Sequence, residues 1–129
     1  GSRFEPCILQ AIREFTMAFD NVRRYRNAAA PEPFRSDVYA RFRQQLDCAA
    51  QRLTLLQISS FEPAMGTPLD LKRHRVVKLV ACDVPEHSEC VADVRVPGFE
   101  WIDHQGTQRL QPADVLAYDT DLVPVGEDQ

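Results

Sequence analysis

The chain has 129 residues, a formal net charge of −4 and 44% hydrophobic residues, enough for one compact domain or a small domain with a helical appendage. No apolar run nears the ~20 residues of a membrane span, and no charged-then-apolar signal segment opens it. Charge divides unevenly: residues 1–56 hold nine arginines against six carboxylates, +3, and residues 57–129 hold six bases against thirteen carboxylates, −7. An acidic C-terminal half offers nucleic acid no basic face.

Gly1-Ser2 reads as an expression remnant, so a natural chain is expected to begin further upstream. Residues 6–26 predict a helix. Pro6 suits its first turn, and Ile8, Ile12, Phe15, Phe19 and Val22 recur at steps of four and three on one stripe. Pro31 and Pro33 end it, and Ala28 to Arg35 reads as a loop. Ser36 is the expected N-cap of a second helix, with Asp37 in its first turn. That helix runs to about Leu56 and carries Phe42, Leu46, Ala49, Leu53 and Leu56 at the same steps. Both stripes fit the seam of left-handed helix packing. Periodicity alone allows two outcomes: the helices pack on their own β-rich domain, or two copies form a four-helix bundle.

After Ser59 the period changes. Arg75–Val84, Cys90–Val96 and Arg109–Tyr118 read as strands, separated by turn-like Pro85-Glu-His-Ser and Asp103-His-Gln-Gly106. Three or four short strands predict a small antiparallel sheet or half-barrel. Asp119–Gln129 has four acids and no base and reads as a solvated tail. The expected division is therefore 1–58 helical, 59–118 β-rich head and 119–129 acidic tail, an α+β chain.

The four cysteines at 7, 48, 82 and 90 form no Cys-x-x-Cys pair, which favours a reducing cytoplasm over a disulfide framework. Cys82, Asp83, His87 and Cys90 are possible zinc ligands, but Cys-x4-His-x2-Cys is not a standard finger spacing. His87 beside Cys90 is too little for a cysteine nucleophile, which needs a base held in place. No Gly-Lys-Ser/Thr phosphate loop occurs. No metal or cofactor is expected.

Several separated pieces resemble the GrpE family of nucleotide exchange factors, the cochaperones that make DnaK-type chaperones release ADP. Gly66, Pro68, Asp70, His74 and Val77 match Gly-x-Pro-Phe-Asp-Pro-x-x-His-x-x-Val, with Leu69 and Leu71 replacing the Phe and the second Pro. Gly98-Phe99 matches the Gly-Tyr that opens the last hairpin, and Pro112-Ala113 with Val115 matches Arg-Pro-Ala-Met-Val. Phe15-Thr-Met-Ala-Phe-Asp-Asn-Val22 is similar to the stretch where that family enters its dimeric bundle. The resemblance covers about residues 15–118. Locally, Gly66 permits a positive φ, Asp70 is placed to cap the Leu71–His74 turn, and His74 reads as a structural hydrogen-bonder.

The resemblance implies a homodimeric four-helix bundle, with Ile8, Ile12, Phe15, Phe19, Phe42, Leu46 and Leu53 at its interface. It also implies a β wing that enters the chaperone's nucleotide cleft. Phe99, Trp101, Gln108, Arg109, Gln111 and Asp114 are the candidates for the surface that meets a DnaK-type ATPase domain. The chain would serve protein folding and the stress response without catalysis. Three departures bear on this: Gln111 replaces the family's arginine, Asp114 stands where Met is common, and Gly98–Pro112 is a few residues longer. The family's hairpin arginine falls on Gln108, or on Arg109 if the register shifts. The rival expectations are a GrpE-shaped tethering protein without exchange activity and a small zinc- or thiol-dependent enzyme.

Overall fold

The computed structural model describes residues 4–26 and 31–122. Two helices precede six strands: α1 (Phe4–Arg26), α2 (Phe34–Leu55), β1 (Ser59–Phe61), β2 (His74–Ala81), β3 (Val91–Val96), β4 (Gly98–Ile102), β5 (Gln108–Gln111) and β6 (Ala113–Asp119). The residues expected to form the tail fall, from 123 onward, outside the described residues.

The helices pair antiparallel. Glu14 of α1 forms an ion pair with Arg52 of α2, and Tyr25 lies edge-on to Phe42, centroids 5.5 Å apart. α2 begins two residues before the expected cap. Pro33 stands at the N-cap position, and its ring has no group that can accept a hydrogen bond, so Glu32 does the work: its carboxylate accepts from the Ser36 amide at 3.3 Å, the Ser36 hydroxyl and Arg35 Nε at 3.0 Å. Ser36 is thus inside the helix, and its hydroxyl is the main reason the Glu32 carboxyl is held below the ordinary range.

The end of α2 closes in a Schellman motif. Gln57 N–H donates to the Thr54 carbonyl (3.0 Å), and Ile58 N–H donates to the Leu53 carbonyl (2.9 Å). Gln57 takes φ 60°, a conformation in which glycine carries no β-carbon penalty. Ile58 and Leu53, the apolar pair that accompanies this motif, are both buried.

The expected dimeric four-helix bundle is not what the chain forms. Among the described residues it holds two α-helices and two three-stranded sheets, and the stripe assigned to a second copy is covered within one chain. Ile8, Ile12, Phe15 and Leu53 retain only 0%, 4%, 7% and 3% of their surface. Phe19 stacks on Phe15 with centroids 6.4 Å apart, and Phe19, Phe42 and Leu46 are half-buried. A side chain already out of water gains nothing further from a partner helix. α+β is the level at which the expectation and the fold agree.

One sheet has the order β1-β4-β5 and the other β2-β6-β3. In the second, β6 is central, parallel to β2 and antiparallel to β3. The wholly antiparallel sheet expected from the sequence is therefore a mixed one. The apolar stretch read as one strand over Arg109–Tyr118 is two, because Pro112 has no N–H for a ladder and separates β5 from β6. Along β6, Ala113, Val115 and Ala117 are fully buried while Asp114, Leu116 and Tyr118 are half-buried, the two-residue period of a strand.

Two compact units result: Gly1–Ser59 with Glu100–Arg109, and Ser60–Phe99 with Leu110–Gln129. The core of the second is Val91, Ala113 and Val115, with Phe61, Leu69, Val76 and Val94 packed around them. Among the described residues no helix is long and apolar enough to cross a membrane.

Candidate functional site

The pieces singled out in the β-rich unit interlock through backbone bonds. Gly66 stands at φ +83° and its N–H donates to the Val91 carbonyl at 2.8 Å. Pro68 forms a bridge with Cys90. Asp70 ties the turn that leads into β2: its carboxylate accepts from Lys72 N–H, its carbonyl accepts from Arg73 and His74 N–H, and its own N–H donates to His74 Nδ1 at 3.1 Å. His74 is buried in this role. From His74 the chain runs parallel to β6 with His74 opposite Ala113, whose N–H donates to the Arg73 carbonyl at 2.9 Å.

Gly98 answers to a different constraint. The ring of Phe61 lies against it, so a β-carbon there would come within 2.6 Å of Cε1 and Cε2 and closer still to Cζ. On the same ring sits the Arg73 guanidinium, 4.2 Å from the centroid, an arrangement in which a cation meets the negative face of an aromatic ring.

The β4–β5 hairpin is built around Asp103. One carboxylate oxygen accepts from Gln105 and Thr107 N–H, each at 2.9 Å, and the other accepts from Arg109 Nε at 2.8 Å. Gly106 supplies the positive φ, +81°, and its N–H donates to the Asp103 carbonyl. The Asp103 side chain keeps 3% of its surface and Arg109 keeps 55%. The Thr107 amide, followed by Arg109 and the Gln105 amide, holds the Asp103 carboxyl below the usual range against the opposing effect of burial.

The six residues expected to meet a partner divide by exposure. Phe99 is wholly buried and Trp101 keeps 8% of its surface, so both belong to the interior. Trp101 Nε1 is buried without an acceptor among the described residues. Gln108 is exposed, as is Arg109, although Arg109 is committed to Asp103. Gln111 is half-buried. Asp114 keeps 18% of its side-chain surface and accepts two hydrogen bonds from Arg75, its neighbour across the β2–β6 register, at 2.7 and 2.8 Å. The acid at 114 therefore answers Arg75, whose guanidinium it holds more firmly protonated.

Asp103, Arg75 and Phe61 were missed by the sequence reading. A signal existed for the first, since Asp-x-x-Gly is a turn in which a short carboxylate reaches the amides two and four residues on. Arg75 and Asp114 lie thirty-nine residues apart, and no local pattern joins them. Cys82 and Cys90 lie on opposite sides of β6: Cys82 N–H donates to the Asp119 carbonyl on one side, and the Cys90 carbonyl accepts from Tyr118 N–H on the other. Among the described residues no group of three or more His, Cys, Asp and Glu stands ready to hold a metal ion. His87 instead stacks on Tyr118, centroids 5.8 Å apart.

No protein-family profile matches the chain. Twenty residues, 16% of it, are 95% identical to a stretch of the tryptophan–tRNA ligase of Mycobacterium leprae, and the match spans 6% of that enzyme's length. A match of that extent shows no shared domain.

Proposed function

We propose that this chain is a nucleotide exchange factor, promoting ADP release from a DnaK-type chaperone in the cytoplasm by binding rather than by chemistry of its own. The observation that carries the reading is that the separated pieces resembling GrpE are the joints of one unit. The Gly66–His74 turn is hydrogen-bonded to β3 and β6, Ala113 and Val115 lie in the core, and Gly98 receives the Phe61 ring. What resembles the family is thus scaffold. The contact surface consists of the exposed side of the hairpin, with Gln108 and Arg109 its strongest candidates. Exchange then follows from differential affinity: a factor that prefers the open nucleotide cleft shifts the chaperone toward it, and one that binds both states equally shifts nothing.

Stopped-flow release of a fluorescent ADP analogue from the chaperone tests this. Wild-type protein accelerates release, and Gln108→Ala with Arg109→Ala removes the acceleration while far-UV circular dichroism stays unchanged. Chaperone binding without acceleration would instead make the chain a tethering protein. A specific observation favours that second reading: Gln111 replaces the family's arginine, and Arg109 is already engaged by Asp103.

A further inference from the structure

Strand β2 is the outer strand of β2-β6-β3, bonded to β6 along one edge. Among the described residues its backbone hydrogen bonds outside the ladder are confined to its ends, where His74 N–H meets Asp70 and the chain beyond Ala81 meets Asp119 through Cys82. The opposite edge of Arg75–Ala81 has no strand beside it among the described residues. Its composition sets it apart. Four of the six basic residues in 57–129 lie at 72, 73, 75 and 78, and Lys72–Ala81 contains no acid within a region of net charge −7. Arg75 is taken by Asp114 and Arg73 lies on Phe61. Lys72 and Lys78, the chain's two lysines, are exposed and have no ion-pair partner among the described residues. Beside Lys78, Val77 and Leu79 expose 45% and 47% of their surface.

We propose that this edge takes an extended acidic segment of a partner polypeptide as an added strand. Main-chain bonds to the open edge would supply sequence-independent affinity, and side-chain contacts at alternate positions would supply selectivity. A carboxylate would meet Lys78, and apolar side chains would lie on Val77 and Leu79. A second copy of this chain is a poor occupant, because edge-to-edge pairing would bring like-charged lysines together across the strands. The register shift between Val76 and Lys78 is a bulge, and bulges and lysines also blunt edges against self-association. An edge guarded for that purpose alone would not leave two neighbouring aliphatic side chains nearly half exposed. The inference stands apart from the exchange reading and needs no chaperone for its test.

The probe is a fluorescein-labelled eight-residue peptide of alternating valine and glutamate, with a valine–lysine peptide as its counterpart, both read by fluorescence anisotropy against the whole chain. The acidic peptide is expected to bind about tenfold or more tighter than the basic one, a difference of about 1.4 kcal/mol. Lys78→Glu should reverse that preference with its thermal melt unchanged, and bound peptide should slow amide hydrogen exchange in Val76–Ala81. Leu79→Thr, a strand-compatible change on the exposed face, should weaken binding without reversing the preference. The proposal is overturned if neither peptide binds, if Lys78→Glu leaves the preference intact, or if exchange slows elsewhere and not in β2. Dimerisation of Lys78→Val without peptide capture by the wild type would also overturn it, showing the edge to be merely guarded.

Discussion

Replacing Gly98 with alanine puts a methyl group where the Phe61 ring lies. The new carbon would stand 2.6 Å from Cε1 and Cε2 and closer still to Cζ, so the ring must withdraw by roughly 1.5–2 Å to recover an ordinary carbon–carbon contact of ~3.5–4.0 Å. Phe61 packs on Val91, Ala113 and Val115 and carries the Arg73 guanidinium on its face, so withdrawal disturbs both. Overpacking of this kind costs about 1–3 kcal/mol. With a urea m-value of about 1–3 kcal/mol/M, the unfolding midpoint should fall by roughly 1 M. Urea titration followed by far-UV circular dichroism measures it. The decisive comparison is the same substitution in a Phe61→Leu background, where the terminal ring carbons are gone. There Gly98→Ala should cost less than about 0.5 kcal/mol, leaving a coupling of about 1–3 kcal/mol between the two positions. An equal cost in both backgrounds would refute the reasoning, because the glycine would then serve the backbone and not the ring.

Gln57→Gly, at the left-handed residue that closes α2, should stabilise the chain by about 0.5–1 kcal/mol in a thermal melt, whereas Gln57→Ala should not. Trp101→Phe should cost well below the ~3–5 kcal/mol of Trp101→Ala, since it removes an indole N–H that has no acceptor; urea unfolding compares them. Because the folded Asp103 carboxyl is held low, its contribution is present above the unfolded value near ~3.9. It is lost as pH falls through the lower folded value. The melting-temperature gap between wild type and Asp103→Asn should therefore be widest near neutral pH and close in acid, and a gap constant with pH would contradict this. Swapping the charges of Arg75 and Asp114 together should restore stability that Asp114→Arg alone loses, as measured by a double-mutant cycle.

Which residues face inward was legible where a period runs long enough. The four- and three-residue steps of Ile8, Ile12, Phe15 and Val22 mark a buried stripe, and that stripe is buried. What covers it was not legible, because periodicity states that a face needs cover and not what supplies it. The same limit applies to Phe99 and Trp101. Large aromatics in a hairpin suit an interface and a core equally well, and only their exposure separates the two. Asp114 looks like an added surface acid until Arg75 is found beside it across the ladder.

From the sequence alone came the two helices, the positive φ of Gly66 and the turn at Asp70, because each depends on neighbours within a few residues. Tertiary structure alone decided the parallel pairing of β2 with β6, the ring against Gly98, the Arg75–Asp114 pair and the cover over α1. Each of these joins residues far apart in the chain, and such contacts are chosen by the free energy of the whole fold and leave no local pattern to read.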